Sequence, residues 1–191
     1  VLIPRPDSEI IVVEALKLLD TNDKGFILDI GTGSGCLVIS LAKERPNYFY
    51  SAIDISKKAI KVAKINAKMH QLENRIKFYQ SCVDNFFKGK YDLIISNPPY
   101  INKLKLKYLD KDIFCFEPLI ALEGGLDGSS MLNKVIKKSS SLLKVGGKLV
   151  LEIGFDQKLK TMKFLKNKGF YVNKVVKDYG NNDRCIVSTK I

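Results

Sequence analysis

The segment Ser96-Asn97-Pro98-Pro99-Tyr100 has the clearest capacity for chemistry in this sequence. Its two consecutive prolines remove two backbone donors and stiffen the chain. The side-chain carbonyl of Asn97 and the backbone carbonyl of Pro98 therefore remain available as acceptors. Such a pair can hold both hydrogens of an –NH2 group and point its nitrogen at an electrophile, while Tyr100 offers an aromatic face to a planar amide or base. The alternative interpretation is a rigid turn that closes a strand.

A glycine-rich loop, Gly31-Thr32-Gly33-Ser34-Gly35, follows the apolar segment Phe26–Ile30. Alternating glycines permit positive φ and close approach of a ligand to the backbone, and a helix beginning near Cys36 would offer free N–H groups. The spacing departs from the dinucleotide fingerprint, and no Lys-Ser/Thr pair follows the loop as in a P-loop. A plain tight turn would also explain the glycines.

Asp54 follows a second apolar segment, Tyr48–Ile53, and is expected beside the glycine loop. A carboxylate there can accept hydrogen bonds from both ribose hydroxyls of a nucleoside. Asp54 or Ser56 could instead cap the next helix, and both roles are compatible if Ser56 is the cap. The loop and the acid together favour an adenosyl ligand. Asp29 either orders the glycine loop through its backbone N–H groups or simply ends the first strand.

Strand and helix signals alternate along the chain, which predicts an α/β fold with a mostly parallel sheet covered on both faces. The predicted strands are 26–30, 48–53, 76–79, 91–96, 148–153, 170–177 and 184–189. The predicted helices follow Asp7/Ser8 and Ser56 as caps and also cover 36–43, 129–143 and 157–168, with Gly146-Gly147 as a turn. In the helix after Ser56, the residues expected on the inner face are Ala59, Ile60, Ala63, Ile65 and Ala67. Turn residues at 180–183 predict a final antiparallel hairpin. Ligands of such sheets bind at the carboxyl ends of the strands.

Composition limits the classes of protein to consider. The chain has 191 residues, with 32 Lys+Arg against 20 Asp+Glu and a net charge of +12. The charge indicates a lysine-rich surface or, alternatively, an anionic partner such as nucleic acid. No apolar run approaches the roughly 20 residues that span a bilayer, so no membrane association is expected. The scattered cysteines and single histidine predict free thiols in the cytoplasm and no metal site: Cys36, Cys82, Cys115, Cys185 and His70.

Asn-Pro-Pro-Tyr at the end of a strand resembles the amino-group methyltransferases that use S-adenosylmethionine. Further segments resemble the protein glutamine methyltransferases among them, and they are Ile3-Pro4-Arg5-Pro6-Asp7-Ser8-Glu9 (IPRPETE in that family), Phe116-Glu117-Pro118 with Ala121-Leu122 and Gly124-Gly125-Leu126-Asp127-Gly128, Glu152 to Gln157 (EIG..Q), and Asp178 to Arg184 (D..G.DR). The chain thus resembles, in five ordered motifs over its whole length, the peptide chain release factor N5-glutamine methyltransferases, the HemK/PrmC family.

This resemblance implies a class I methyltransferase fold, with a Rossmann-like seven-stranded sheet, over residues 1–191. The family's N-terminal helical domain would be absent, and the start at Val1 suggests a piece of a longer protein. S-adenosylmethionine would bind, and S-adenosylhomocysteine would form, at Gly31 to Gly35, Asp54 and Asn97. Arg5 and Pro6 would wall the pocket, and Cys82 would stand near the adenine.

The implied substrate is the glutamine of the Gly-Gly-Gln loop of class I release factors, with its amide held by Asn97, Pro98, Pro99 and Tyr100. The basic loop 103–107 departs from the family pattern. The expected protein is a cytoplasmic monomer that does not bind nucleic acid directly. The alternative activity is methylation of an amino group on adenine or guanine in RNA or DNA.

Overall fold

The structure, a computed structural model, describes residues 1, 3, 5–102, 124–125 and 128–191. Over this range a seven-stranded sheet has the order β3-β2-β1-β4-β5-β7-β6. Its strands are β1 Phe26–Ile30, β2 Phe49–Asp54, β3 Ile76–Gln80, β4 Tyr91–Ser96, β5 Leu143–Glu152, β6 Phe170–Lys177 and β7 Asp183–Lys190. The first five strands are parallel, and β7 is antiparallel to both β5 and β6. The predicted fold class is confirmed.

Helices cover both faces of the sheet. They are α1 Glu9–Leu18, α2 Cys36–Glu44, α3 Lys57–Met69, α4 Ser130–Leu142 and α5 Lys158–Asn167. Buried residues of α1 and α2 pack with Leu93 and Ile95 of β4, while those of α4 and α5 pack with Ile94. This alternation is the two-residue period of a strand that is buried on both sides. Among the described residues, no helix is long and apolar enough to cross a membrane.

Two details of the predicted elements are wrong. The Gly146-Gly147 pair lies within β5 rather than in a turn before it, because the pairing with β4 begins at Leu143 and shifts register before Lys148. Ile65 was expected on the inner face of α3, but its side chain is 50% exposed. The buried positions of α3 follow the four-residue spacing of one helix face, and Ile65 lies off that face.

The strand order brings four chain segments to one edge of the sheet. β1 lies between β2 and β4, with Ile30 paired to Ile53 on one side and to Ser96 on the other. Ser96 pairs in turn with Leu151 of β5. Because parallel strands end at the same edge, the residues that follow these positions lie side by side. The predicted glycine loop, acid and Asn-Pro-Pro-Tyr segment therefore meet.

Candidate active site

A cavity of about 450 Å³ opens at this edge of the sheet. Its volume lies in the usual range of small-molecule pockets, roughly 300–1,000 Å³. Most of the predicted site residues line it, namely Arg5, Gly31, Thr32, Gly33, Ser34, Asp54, Cys82, Asn97, Pro98 and Pro99. Residues that the sequence reasoning did not single out also line it, including Ile55, Val83, Met131 and Val135. Gly35 and Tyr100 are not part of this lining, and Pro6 lies in an adjacent groove.

The glycine loop presents bare backbone to the cavity. The N–H groups of Gly31 and Thr32 both donate to the carbonyl of Ile53, at 2.9 and 3.0 Å. Gly31 has φ 75°, and a Cβ atom there would meet no other atom within 4 Å. The space beside Gly31 is therefore open to a ligand, and a side chain at this position would partly fill that space.

Gly35 has a different role from the other loop glycines. Its φ is 82°, and a Cβ atom would lie 3.1 Å from both Ala63 Cβ and Ile39 Cδ1. The residue before α2 can thus adopt a left-handed conformation while α3 packs closely against it. The prediction that Gly35 contacts the cofactor remains untested, and its described contacts are those of a packing residue.

Asp54 connects the loop to the start of α3. Oδ2 of Asp54 accepts from the N–H of Gly33 at 2.9 Å, and Oδ1 accepts from the N–H of Ser56 at 2.8 Å. The hydroxyl of Ser56 in turn accepts from the N–H of Ala59 at 3.2 Å, so Ser56 is the helix cap as predicted. Each carboxylate oxygen retains a lone pair, which leaves Asp54 able to accept from a ribose.

Asp29 supports the loop from beneath. The hydroxyl of Thr32 donates to Oδ2 of Asp29 at 2.7 Å. Because the N–H groups of Gly31 and Thr32 bond to Ile53 and that of Gly33 to Asp54, Asp29 acts through the Thr32 side chain rather than through the loop backbone. Complete burial raises the pKa of Asp29 to about 7, although the Thr32 hydrogen bond opposes the shift.

Asn97 is held by a residue for which the sequence suggested another role. Nδ2 of Asn97 donates to Oγ of Ser8 at 2.8 Å. Ser8 was predicted to cap α1, but its side chain makes no capping hydrogen bond, and its hydroxyl donates to Oε2 of Glu152 at 2.8 Å. Glu152 is buried at the end of β5. Its only sequence signal was membership of the EIG..Q motif.

Tyr100 contacts the same carboxylate from the other side. Its hydroxyl donates to Oε1 of Glu152 at 3.2 Å and accepts from Nη1 of Arg184 at 3.4 Å. Burial, reinforced by the negative charge of Glu152, raises the pKa of Tyr100 to about 12. Tyr100 is therefore a neutral phenol that is fixed by its hydroxyl, and its predicted stacking on a substrate remains a prediction.

The segments Glu152 to Gln157 and Asp178 to Arg184 support the position of Tyr100. Arg184 of β7 pairs with Oδ2 of Asp178 through Nε and Nη2, at 3.0 and 2.9 Å. The side chain of Gln157 accepts from the N–H of Gly154 at 3.0 Å. It donates to the carbonyls of Gly128 and Tyr100, at 3.0 and 3.3 Å. Gln157 thus connects the end of β5 to the backbone on either side of the undescribed segment.

Several sequence predictions fall outside the described residues. They are Pro4, the basic loop 103–107, Phe116-Glu117-Pro118 with Cys115 beside it, Ala121-Leu122, and the Leu126-Asp127 pair. Within the described part of the chain, no group of three or more His, Cys, Asp or Glu side chains is arranged to hold a metal ion.

Comparisons with known proteins agree with this fold. Residues 11–115 match the family model described as the methyltransferase small domain. The fold resembles ribosomal protein L11 methylase from Lactobacillus delbrueckii subsp. bulgaricus, with a TM-score of 0.72 at 19% identity over 99% of this chain and 81% of the other. It also resembles magnesium protoporphyrin IX methyltransferase from Synechocystis with bound S-adenosylmethionine, with a TM-score of 0.64 at 18% identity over 97% and 78%. The fold and the cavity define a class I methyltransferase domain.

Sequence relatives narrow this class. The chain is 40% identical to release factor glutamine methyltransferase of Buchnera aphidicola subsp. Acyrthosiphon pisum, over 99% of this chain and 67% of the relative. It is also 40% identical to the protein of that name from Fusobacterium nucleatum, over 100% of this chain and 54% of the relative. The chain belongs to the release factor glutamine methyltransferase family. It spans about half to two thirds of the length of these relatives.

Proposed function

We propose that this chain methylates the side-chain amide nitrogen of a glutamine in the Gly-Gly-Gln loop of class I peptide chain release factors, with S-adenosylmethionine as donor. The observation that carries the proposal is the amide of Asn97, which is anchored to Ser8 at 2.8 Å while Asn97 lines the cavity beside the glycine loop. An Asn97 amide that is held in one orientation beside the cavity can in turn hold the substrate amide in one orientation. Family membership supplies the substrate class.

The residues of the cavity suit S-adenosylmethionine. The open backbone at Gly31 can approach the methionine part, and the remaining lone pairs of Asp54 can accept from the ribose. Side chains of Ile55, Cys82 and Val83 supply the wall for an adenine ring. When bound, the cofactor supplies a methyl group on a positively charged sulfur, which is an electrophile.

The chain's own part in the reaction is to hold the nucleophile. Oδ1 of Asn97 and the carbonyl of Pro98 would accept the two hydrogens of the substrate –NH2 group. This orients the amide nitrogen toward the methyl group and stabilises positive charge as its bond to carbon forms. The nitrogen–carbon bond forms as the sulfur–carbon bond breaks, the sulfur keeps the electron pair, and one amide proton is released to solvent. No general base is needed in this scheme.

Methyl transfer to a purified class I release factor tests the proposal. The chain is incubated with the factor and methyl-labelled S-adenosylmethionine, and the digested factor is examined by mass spectrometry. One methyl group is expected on the glutamine of Gly-Gly-Gln, and none when that glutamine is replaced by alanine. Ribosomal RNA and DNA are tested in parallel. Label on nucleic acid without label on the glutamine would establish the alternative activity and overturn the proposal.

A further inference from the structure

We infer that Glu152 is the positioning residue that sets the orientation of the Asn97 amide, acting through the hydroxyl of Ser8. The inference rests on the proposed function, which makes the Asn97 side-chain oxygen an acceptor for the substrate. It assigns a role to Ser8, which lines the cavity, and to Glu152, which is not among the described lining residues.

The number of available hydrogens fixes which group donates and which accepts in the hydrogen bonds that link Asn97, Ser8 and Glu152. An ionised carboxylate can only accept, so the single hydrogen of the Ser8 hydroxyl is committed to Oε2 of Glu152 at 2.8 Å. The oxygen of Ser8 can then only accept from its other neighbour. Asn97, at 2.8 Å, must present Nδ2 to it. Because nitrogen and oxygen occupy opposite branches of the planar amide, Oδ1 is directed away from Ser8.

The opposite orientation would be unproductive. An amide rotated by 180° about its last bond would place Oδ1 against Ser8, whose hydrogen is already donated to Glu152, and would present an –NH2 group to the substrate –NH2 group. Two donors cannot bond to each other. The two orientations of the Asn97 amide have the same shape, but only one of them can accept a hydrogen bond from the substrate.

The same carboxylate also fixes Tyr100. Oε2 of Glu152 serves Ser8, and Oε1 accepts from the Tyr100 hydroxyl at 3.2 Å. One buried side chain therefore holds both ends of the Asn-Pro-Pro-Tyr segment, one oxygen for each. The strand pairing explains how it can do so, since Ser96 of β4 is opposite Leu151 of β5 and the next residues are Asn97 and Glu152.

Burial and neighbouring groups decide when Glu152 is ionised. Burial is the largest effect and raises the pKa of Glu152 above its ordinary value. The hydrogen bonds from Ser8 and Tyr100 and the charge of Arg184 oppose this shift, whereas the charge of Asp7 adds to it. A protonated Glu152 could donate to Ser8, which would free the Ser8 hydrogen to bond to Oδ1 of Asn97. As the pH falls, the Asn97 amide would then no longer be held in a single orientation.

The test combines variants at both positions with a readout on Asn97 itself. E152Q keeps the shape but can donate, S8A removes the hydroxyl, and S8T retains it. E44Q is the matched control for the charge change, since Glu44 is exposed at the end of α2. For each variant, kcat and KM for the release factor and the Kd for S-adenosylhomocysteine are measured. The side-chain amide signals of Asn97, assigned from their loss in N97D, are followed by NMR.

We expect E152Q and S8A to lose about tenfold to hundredfold in kcat, with Kd for S-adenosylhomocysteine within about twofold of the wild-type value. S8T and E44Q should retain nearly full kcat. The Asn97 signals should shift in E152Q and S8A only. The kcat of the wild type should fall on the acid side of its pH profile, and E152Q should lack this limb.

Wild-type kcat and unchanged Asn97 signals in folded E152Q and S8A would overturn the inference. If E152Q fails to fold, the S8A and S8T pair gives the same decision. A wild-type chain that methylates no glutamine would contradict the proposed function instead, and the Asn97 signals would still show whether Glu152 orients the amide.

Discussion

The N–H of Gly33 donates a hydrogen bond of 2.9 Å to Oδ2 of Asp54. This contact joins the loop after β1 to the end of β2. The carboxylate is thereby fixed in one orientation, and the loop is fixed with it. A site that is ordered in advance loses less conformational entropy when a ligand binds.

Replacing Asp54 should therefore weaken cofactor binding. We expect D54A to raise the Kd for S-adenosylhomocysteine by about tenfold or more, because the ribose loses a charged acceptor and the Gly33 N–H loses its partner. Isothermal titration calorimetry measures this. D92A is the control, since Asp92 accepts from the N–H of Phe26 at the opposite edge of the sheet. Equal affinities for D54A and D92A would refute the ribose role.

Asn97 should affect turnover rather than cofactor binding. We expect N97A to lose most of kcat for the release factor while the Kd for S-adenosylhomocysteine stays within about threefold, since the lost group acts on the substrate amide. Steady-state kinetics and calorimetry give the two numbers. N47A is the control, because Asn47 is exposed and its Nδ2 donates to the carbonyl of Thr21. An unchanged kcat in N97A would remove Asn97 from the mechanism.

Two glycines with similar positive φ angles should differ in their tolerance of alanine. Gly35 and Gly146 have φ of 82° and 80°. G146A should lower the free energy of unfolding by only about 1–2 kcal/mol, since its new Cβ meets nothing within 4 Å. G35A should cost about 1–3 kcal/mol more, because Ala63 and Ile39 must move. Urea unfolding measures both values, and equal losses would show that close packing at Gly35 is unimportant.

The stability of the protein should depend on pH through Asp29. The pKa of Asp29 is about 7 in the folded chain against an ordinary value of 3.8, so between these values the folded chain retains a proton that the unfolded chain has lost. The free energy of unfolding should then decrease as pH rises through this window, by up to a few kcal/mol. D29N carries no such proton. Relative to D29N, the wild type should lose stability between pH 5 and 7 in urea unfolding, and a constant difference would contradict the raised pKa.

The backbone of the site could be predicted from local sequence patterns. Short apolar segments that end in glycine, aspartate or Asn-Pro-Pro predicted β1, β2 and β4 and the edge at which they end. Ser56 was predicted correctly as a cap because capping involves groups only three residues apart. Such features depend on neighbours along the chain, and the sequence displays these directly.

The partners of Ser8 could not be predicted in this way. Ser8 and Glu152 are 144 positions apart, and a serine before an apolar helix is usually a cap. The local pattern therefore predicted the common role, whereas tertiary contacts used the hydroxyl elsewhere. Tyr100 illustrates the same difficulty, because its contact with Arg184 depends on β7 being inserted between β5 and β6.

The position of β7 between β5 and β6 has a consequence for the order in which parts of the site are synthesised. Among the described residues, those that line the cavity all lie at or before Val135, so they emerge before β5 does. Arg184 and the strand that covers the outer edge of β5 emerge last. The described residues of the cavity would thus leave the ribosome well before Arg184, which contacts the hydroxyl of Tyr100. Synthesis of the final hairpin is the step after which the contact between Arg184 and the Tyr100 hydroxyl can form.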